Sequence, residues 1–539
     1  MRGRAFALTR ERASIVVLAL LTLRVLSLVS VYFFEEDEAS LAIGAAALVA
    51  GTPGFMYRYA VQVGYYRFVE VVTVVLGGSI ALVPWIMKGA AAVAGTVIPV
   101  AGWFMFRREL SPRQRGLVVL GLALNPVVWQ SSRYGSTAIL SAALSTCALA
   151  WLSNPSRRPG RVIALAALAA AVLVRADAVL LLPVAGVMIW RTTGSWKLAF
   201  WELVVTGVAL GGTYAALLLF DPRMDGALGA VSQHMDTPGP SMFWEYLLWA
   251  LSPVPAVFAI WGARRLLDTN PRLLGVLCVW AVPTLLFYFR ATLTTRYFLN
   301  VCVPFAIMAA VGMTDAVRAA RRWLPRRVSW SLVGLASAVH LVVALGHVPP
   351  SDPLQYLYGG TFQTYDGPMP TGALLVRSLL TPGSLLRALP TPTFGEQPYP
   401  FWEGASFSNA VRVLSATGAP ARTVIVRLNG GFGHAFHYHA HAAGARYDAG
   451  PTDPWILWGD AMWMRIGRVR VMAVGGWSTT YRDLEQVDVV AGDEVWLMDP
   501  PGAPADVFTK LPPGLALQPT ASFDDHFRTF VVVPGQVAP

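Results

Sequence analysis

Glu35-Glu36-Asp37-Glu38-Ala39 follows directly after the first long apolar run of the chain, residues 13–34. Charged groups at the mouth of a membrane span are costly unless they face water, a cation or a substrate. A solvated cap on a helix end would also explain such a cluster of charges. The acidic cluster is therefore the first candidate functional site. Features of the rest of the sequence distinguish between these two interpretations.

The composition is that of an integral membrane protein. Hydrophobic residues make up 55% of the 539 residues and charged residues only 14%, whereas soluble domains carry about 25% charged residues. The net charge of +11 would suit a nucleic-acid-binding protein. The basic residues, however, stand in short clusters between apolar runs, which is typical of cytoplasmic loops in membrane proteins. We therefore predict the lipid bilayer as a partner and no nucleic acid.

The apolar runs predict about eleven transmembrane helices. Arginine-rich junctions alternate with junctions that lack arginine clusters, as at Arg107-Arg108 after the second run and at Arg157, Arg158 and Arg161 after the fourth. By the positive-inside rule, this alternation places the N-terminus in the cytoplasm and the C-terminus outside. The first external loop, 35–83, mixes tyrosine and arginine with apolar residues, which predicts interfacial helices. We expect a multi-pass protein of the cell membrane whose transmembrane domain is 1–347.

From residue 348 the composition changes towards proline, glycine and polar residues, which predicts a soluble domain over 348–539. The alternation of arginine-rich junctions places this domain outside the cytoplasm. Between two of its strand-like runs lies a stretch rich in histidine and alanine that ends at Gly444, which favours a helix. The strand-like runs are 423–428, 469–474, 494–498 and 529–533. The predicted fold class is therefore an α-helical polytopic membrane protein with a C-terminal soluble α/β domain.

The predicted topology gathers the acidic cluster and several arginines on the outer face of the membrane. A carboxylate there can take the proton from an acceptor hydroxyl. Arginines can hold phosphate oxygens in a two-pronged fork and stabilise a leaving phosphate. For any single arginine, the alternative is an anchor among the lipid headgroups. Together, the acids and arginines indicate group transfer from a lipid phosphate.

The order of these motifs resembles that of the GT-C glycosyltransferases. Asp37-Glu38-Ala39 matches the Asp-Glu pair after the first span of that family, and Gln62-Val63-Gly64-Tyr65-Tyr66 matches a Pro-Pro-Leu-Tyr-Tyr pattern without its prolines. Later turns of the family correspond to Ser132-Arg133-Tyr134-Gly135, Arg175-Ala176-Asp177 and Arg296-Tyr297. The resemblance covers residues 13–315 and points to rhizobial-type lipopolysaccharide glycosyltransferases, with lipid A aminoarabinose transferases and protein O-mannosyltransferases as relatives.

The resemblance implies an enzyme that moves a hexosyl or pentosyl group from a polyprenyl-phosphate donor to an acceptor hydroxyl outside the cytoplasm, with inversion. Asp37 is expected to be the general base, and Glu38 is expected to orient the acceptor or hold a cation. The acceptor would be a lipid, a glycan or a protein. The residues expected to bind the donor phosphate or the substrate are Arg58, Arg67, Lys88, Arg175, Arg296, Tyr65 and Tyr66.

The histidines of the predicted C-terminal helix allow a metal site. His437 and His441 are four residues apart, so they share a helix face at a spacing that suits metal ligands. No cysteine or carboxylate stands in the same turns, so a polar helix face is the simpler interpretation. We predict no required cofactor, with a divalent cation held by Glu36, His437 or His441 as the alternative.

Two other classes of function stay open on the sequence. A transporter or flippase of a lipid-linked saccharide would spread polar residues through the middle of its spans, whereas here they gather at one face. A non-catalytic membrane scaffold would not need the acidic cluster. A membrane glycosyltransferase is therefore the leading hypothesis.

Overall fold

The structure is a computed structural model in which the chain divides into two units. The first unit comprises 1–31, 59–65 and 87–399, and the second comprises 32–58, 66–86 and 400–539. The structure describes residues 17–22, 36–51, 59–132, 135–155, 157–221, 224, 247, 251, 253–289, 295–325, 328, 331, 334–335, 361–364, 367–370, 403–416, 421–429, 432–447, 462–476, 489–498, 511–523 and 527–535. The predicted domain boundary at residue 348 lies outside these residues and stays a prediction.

The described part of the chain up to residue 320 is helical. Its helices, in chain order, are α1 (Glu36–Ala50), α2 (Tyr59–Val75), α3 (Val83–Phe104), α4 (Pro112–Ala123), α5 (Pro126–Ser131), α6 (Thr137–Leu152), α7 (Arg158–Val174), α8 (Leu182–Thr193), α9 (Trp196–Phe220), α10 (Pro253–Thr269), α11 (Pro271–Tyr288) and α12 (Leu299–Ala320). Short 3-10 turns at Ile80–Leu82, Ala176–Leu181 and Thr295–Phe298 lead directly into α3, α8 and α12. Helices α3 to α12 fall on the second to tenth apolar runs of the sequence, and α1 and α2 lie in the stretch predicted as the first external loop.

Several helices can cross a bilayer by their length and composition. Within the described residues these stretches are Ile80–Phe104, Ala176–Thr193, Trp196–Phe220, Pro271–Tyr288 and Leu299–Ala320. A span needs about 20 apolar residues, and the other helices are shorter or more polar. The total of about eleven spans therefore stays a prediction, because the first and last apolar runs lie mostly outside the described residues.

The helices of the first unit pack closely where small residues meet. A Cβ atom added to Gly262 of α10 would lie 1.8 Å from the carbonyl oxygen of Met308, and one added to Gly312 of α12 would lie 2.0 Å from that of Phe258. The two backbones are thus in direct contact, which is the role of small residues between membrane helices. This contact explains why two glycines stand inside apolar helices, where glycine is otherwise unfavourable.

The second unit contains a seven-stranded sheet with the order β4-β5-β6-β3-β7-β9-β8. Its central strand, β3, runs parallel to β6 and β7, and the outer strands are antiparallel. The strands are β3 (Thr423–Asn429), β4 (Arg446–Tyr447), β5 (Met462–Ile466), β6 (Val469–Gly476), β7 (Glu494–Met498), β8 (Leu515–Pro519) and β9 (Phe527–Pro534), and a separate hairpin in the first unit is formed by β1 (Thr361–Thr364) and β2 (Gly367–Pro370).

Helices cover the sheet and complete an α/β domain. Helix α13 (Glu403–Ser415) precedes β3, and α14 (Phe432–Ala442) follows it and packs on β3 and β6. The sheet core contains Ile425, Val495 and Val532, all almost fully buried. All four strands predicted from the sequence are present, and so is the predicted histidine-rich helix, with Gly444 in the left-handed conformation beyond its end.

Candidate functional site

The acidic cluster forms the start of helix α1. Glu36, Asp37 and Glu38 occupy its first turn, where negative charge is favoured by the exposed N–H groups and the dipole of the helix. Glu38 is 1% exposed and therefore buried in the second unit. The side chains of Glu36 and Asp37 lie outside the described residues, so their places in the chemistry stay predictions. The backbone nevertheless places the Asp-Glu pair on a helix, not in an extended loop.

The histidine-rich helix supports this acidic helix. Within the second unit, α14 packs against α1. The buried hydroxyl of Tyr438 donates a hydrogen bond to the carbonyl oxygen of Ile80 at 3.3 Å, at the start of the 3-10 turn that leads into α3. Burial raises the pKa of Tyr438 above its usual range, so the hydroxyl keeps the proton that it donates. The C-terminal domain thus holds two elements that the sequence assigned to the first external loop.

Three histidines of α14, His437, His439 and His441, are buried or half-buried. His437 is 4% exposed. Burial lowers the pKa of His439 to about 4 and also lowers the pKa of His441, so both are neutral at neutral pH. Across the described ranges, no three histidine, cysteine, aspartate or glutamate side chains come together as metal ligands. Among the described residues, α14 therefore packs against α1, β3 and β6 and does not form a cluster of metal ligands.

A second polar cluster surrounds Arg175, at the end of α7 in the first unit. The Nε atom of Arg175 donates to both carboxylate oxygens of Asp177 at 2.9 Å, and the Tyr288 hydroxyl donates to the same carboxylate. The guanidinium carbon lies 4.1 Å from the ring centroid of Tyr297, and the rings of Tyr288 and Tyr297 are stacked. One edge of the arginine is therefore fixed by a carboxylate and one face by an aromatic ring.

The other edge of Arg175 carries its two terminal nitrogens. Its Nη1 and Nη2 atoms make no hydrogen bond with any residue that the structure describes. The side chain retains 14% of its exposure, so a ligand can approach it. A guanidinium that is held through Nε and presents both terminal nitrogens is suited to two-pronged binding of phosphate oxygens.

The other predicted binding residues have different surroundings. Tyr65 and Tyr66 are fully buried on α2, and Lys88 is 6% exposed on α3. Arg67 pairs with Glu70 one turn later on α2, at 2.8 Å. Arg58 lies outside the described residues. Arg296 lies in the 3-10 turn before α12, but its side chain is not among those described.

The structure thus brings together two of the predicted motifs, the Arg175 turn and the Arg296-Tyr297 turn, through the contact of Arg175 with Tyr297. The contacts of Asp177, Tyr288 and Tyr297 with this arginine cluster were not predicted from the sequence. The spacing Arg-Ala-Asp at the end of an apolar run was the available signal for Asp177, since two opposite charges in apolar surroundings are expected to pair. Nothing in the sequence links Tyr288 to a residue 111 positions earlier.

No protein-family model and no curated protein matches the chain. Among solved structures, the chain is similar to ArnT from Cupriavidus metallidurans bound to undecaprenyl phosphate, with a TM-score of 0.54 and 14% identity over 98% of each chain. ArnT in the apo state gives a TM-score of 0.54 and 15% identity, with 96% of this chain and 97% of that chain covered. At this identity the likeness concerns the fold. The chain therefore shares its fold with ArnT along almost its whole length.

Proposed function

We propose that the protein is an inverting membrane glycosyltransferase that moves a sugar from a polyprenyl-phosphate-linked donor to an acceptor hydroxyl on the outer face of the membrane. The observation that carries this proposal is the fold shared over 98% of both chains with a protein crystallised with undecaprenyl phosphate. The motif order on the sequence and the geometry of Arg175 support it independently.

Arg175 is assigned to the donor phosphate. In the reaction, the bond between the anomeric carbon and the phosphate oxygen breaks, and negative charge grows on the departing polyprenyl phosphate. Two terminal guanidinium nitrogens that are already oriented by Asp177 and Tyr297 would stabilise this charge without reorganisation. Asp177 is a positioning residue in this assignment, because it touches the arginine and not the substrate.

Asp37 is assigned the role of general base. It would accept the proton of the acceptor hydroxyl while the oxygen attacks the anomeric carbon from the side opposite the phosphate, which inverts that centre. Glu38 is assigned to acceptor orientation. The support for both roles is their position in the first turn of α1 together with the family motif. The C-terminal domain is assigned to the outer face, on the alternation of arginine-rich junctions.

The test is a transfer assay with the full-length protein in proteoliposomes, using a panel of polyprenyl phosphates that carry radiolabelled sugars and a membrane extract as the source of acceptors. Transfer releases free polyprenyl phosphate and moves the label to another molecule. A flippase leaves the label on the polyprenyl phosphate and changes only its leaflet, and a scaffold changes neither. Absence of protein-dependent polyprenyl phosphate release with every donor would refute the proposal.

A further inference from the structure

A polar cavity of about 290 Å³ lies in the first unit, at the end of the helix bundle where α12 finishes and α11 begins. Its volume is far above the roughly 10–15 Å³ that admits one water molecule. Four charged side chains line it, Glu109, Arg265, Asp315 and Arg318. We call it the end cavity. None of these residues belongs to the proposed transfer site.

The two arginines of the end cavity share one carboxylate. Asp315 Oδ1 lies 3.1 Å from Nη1 of Arg318 and 3.4 Å from Nε of Arg265, and Trp261 donates to Oδ2 at 3.2 Å. Asp315 is therefore well satisfied. Each guanidinium has five N–H donors, and most of those on this wall make no hydrogen bond with a residue that the structure describes. Arg265 and Arg318 are 40% and 67% exposed, which makes them accessible from the cavity.

Glu109, on another part of the cavity wall, has a carboxylate oxygen that can accept a further hydrogen bond. One of its carboxylate oxygens accepts a hydrogen bond from Arg191. The other, Oε2, is buried and has no hydrogen-bond partner among the described residues. Buried polar atoms are nearly always satisfied, so an unsatisfied one calls for a ligand or water. The cavity thus presents cationic hydrogen-bond donors from Arg265 and Arg318 and an anionic hydrogen-bond acceptor from Glu109.

We propose that the end cavity binds a zwitterionic ligand whose anionic oxygens contact Arg265 and Arg318 and whose protonated amine donates to Glu109. A simple anion would leave the Glu109 oxygen unsatisfied, and a simple cation would meet two arginines. The matching chemistry is phosphoethanolamine, either as a lipid headgroup or as the free molecule. The position favours the lipid, because α11 and α12 are candidate spans and the cavity lies at their ends, where lipid headgroups lie. Basic pockets between membrane helices are known to bind the phosphates of lipid headgroups.

The test is native mass spectrometry of the detergent-solubilised full chain with phosphatidylethanolamine, phosphatidylcholine, phosphatidylglycerol and free O-phosphoethanolamine. Phosphatidylethanolamine should bind about fivefold more tightly than the other two lipids, since phosphatidylcholine has no N–H donor and phosphatidylglycerol has no amine. Saturable binding of O-phosphoethanolamine that is as tight as that of the lipid would support the same site with a soluble ligand.

Amino-acid substitutions test whether phosphatidylethanolamine binds in the end cavity. Arg318→Gln and Arg265→Gln should each weaken phosphatidylethanolamine binding about fivefold. Arg322→Gln is the matched control, because Arg322 is exposed beyond the same end of α12 and does not line the cavity. Glu109→Gln should remove the preference over phosphatidylglycerol, with thermal melting recorded in parallel because Glu109 also pairs with Arg191. Equal binding of the three lipids, or equal effects of Arg318→Gln and Arg322→Gln, would overturn the proposal.

Discussion

The two ends of helix α7 carry the same residue type in different roles. Near its start, Arg161 donates from Nε to both oxygens of Glu202 on α9, at 3.0 and 3.1 Å, and from Nη2 at 2.8 Å. Directly after its end, Arg175 donates from Nε alone, to an aspartate two residues away. One arginine thus joins two helices, whereas the other is held locally, and its terminal nitrogens make no hydrogen bond with a residue that the structure describes.

Arg161 stabilises the packing of two helices, whereas the proposed function assigns Arg175 to the donor phosphate. Both side chains are largely buried and both are paired with a carboxylate, so burial and pairing alone do not separate them. The distinguishing features are which nitrogens are engaged and how far along the chain the partner lies. Arg161 uses both Nε and Nη2 to pair with a residue on another helix, whereas Arg175 uses Nε to pair with a residue of the adjoining turn.

The largest expected effect is at the structural end. Arg161→Ala should lower the free energy of unfolding by about 3–5 kcal/mol, because it leaves the buried Glu202 carboxylate without its partner. Thermal melting in detergent measures this, with the exposed neighbour Arg158→Ala as the matched control. The double change Arg161→Leu with Glu202→Leu should recover most of the loss. A melting temperature for Arg161→Ala equal to that of the control would contradict the structural role.

At the other end, the expected effect is kinetic. Arg175→Ala should reduce kcat/KM for the donor about ten- to a hundredfold, since a charge-assisted hydrogen bond contributes about 1.5–3 kcal/mol. Arg175→Lys should recover only part of it, because an ammonium lacks the planar two-pronged geometry. Transfer assays at varied donor concentration measure this. If Arg175→Ala keeps wild-type donor kinetics, Arg175 is a headgroup anchor, and the phosphate site must include Arg58, Arg67, Lys88 or Arg296.

The smallest effect concerns the support of Arg175. Tyr288→Phe keeps the ring but removes the hydroxyl that donates to Asp177, so donor kcat/KM should fall about three- to tenfold, in line with 0.5–1.5 kcal/mol per hydrogen bond. Tyr214→Phe is the control, because the Tyr214 hydroxyl makes only a long bond, 3.4 Å, to the carbonyl oxygen of Val172 near the same end of α7. Equal donor kinetics for the two variants would mean that the Tyr288 hydroxyl does not help Asp177 to position Arg175.

The sequence predicted much of the fold because local patterns determine it. Glu494–Met498 is a strand with the bounds that its residues suggested, and the histidine-rich stretch is a helix that ends before Gly444. Strands β5 and β8 were not predicted, since their short runs contain charged residues or proline and become strands only by pairing with β6 and β9. Tertiary pairing overrides local propensity at such positions.

The candidate site was predictable only in part. The motifs placed Arg175 among the donor-binding residues, but they could not show that Asp177 and Tyr297 orient it, since Tyr297 lies 122 positions later and meets it through the fold. Arg161 was assigned to a basic junction, and the structure places it inside α7 as a buried residue instead. Its partner Glu202 stands 41 residues away, a separation that no helical period connects.

The measurement that tests the central claim most directly compares wild type with Asp37→Asn in proteoliposomes, using a polyprenyl-phosphate sugar that the wild type consumes. The amide keeps the shape of the side chain but cannot take the proton from the hydroxyl of the acceptor substrate. The rate of transfer should therefore fall about 10²–10⁴-fold. Thermal melting and donor binding should stay at wild-type values, because Arg175 would still hold the phosphate. Transfer by Asp37→Asn at more than about a tenth of the wild-type rate would contradict the account, since a working base contributes at least about 10²-fold.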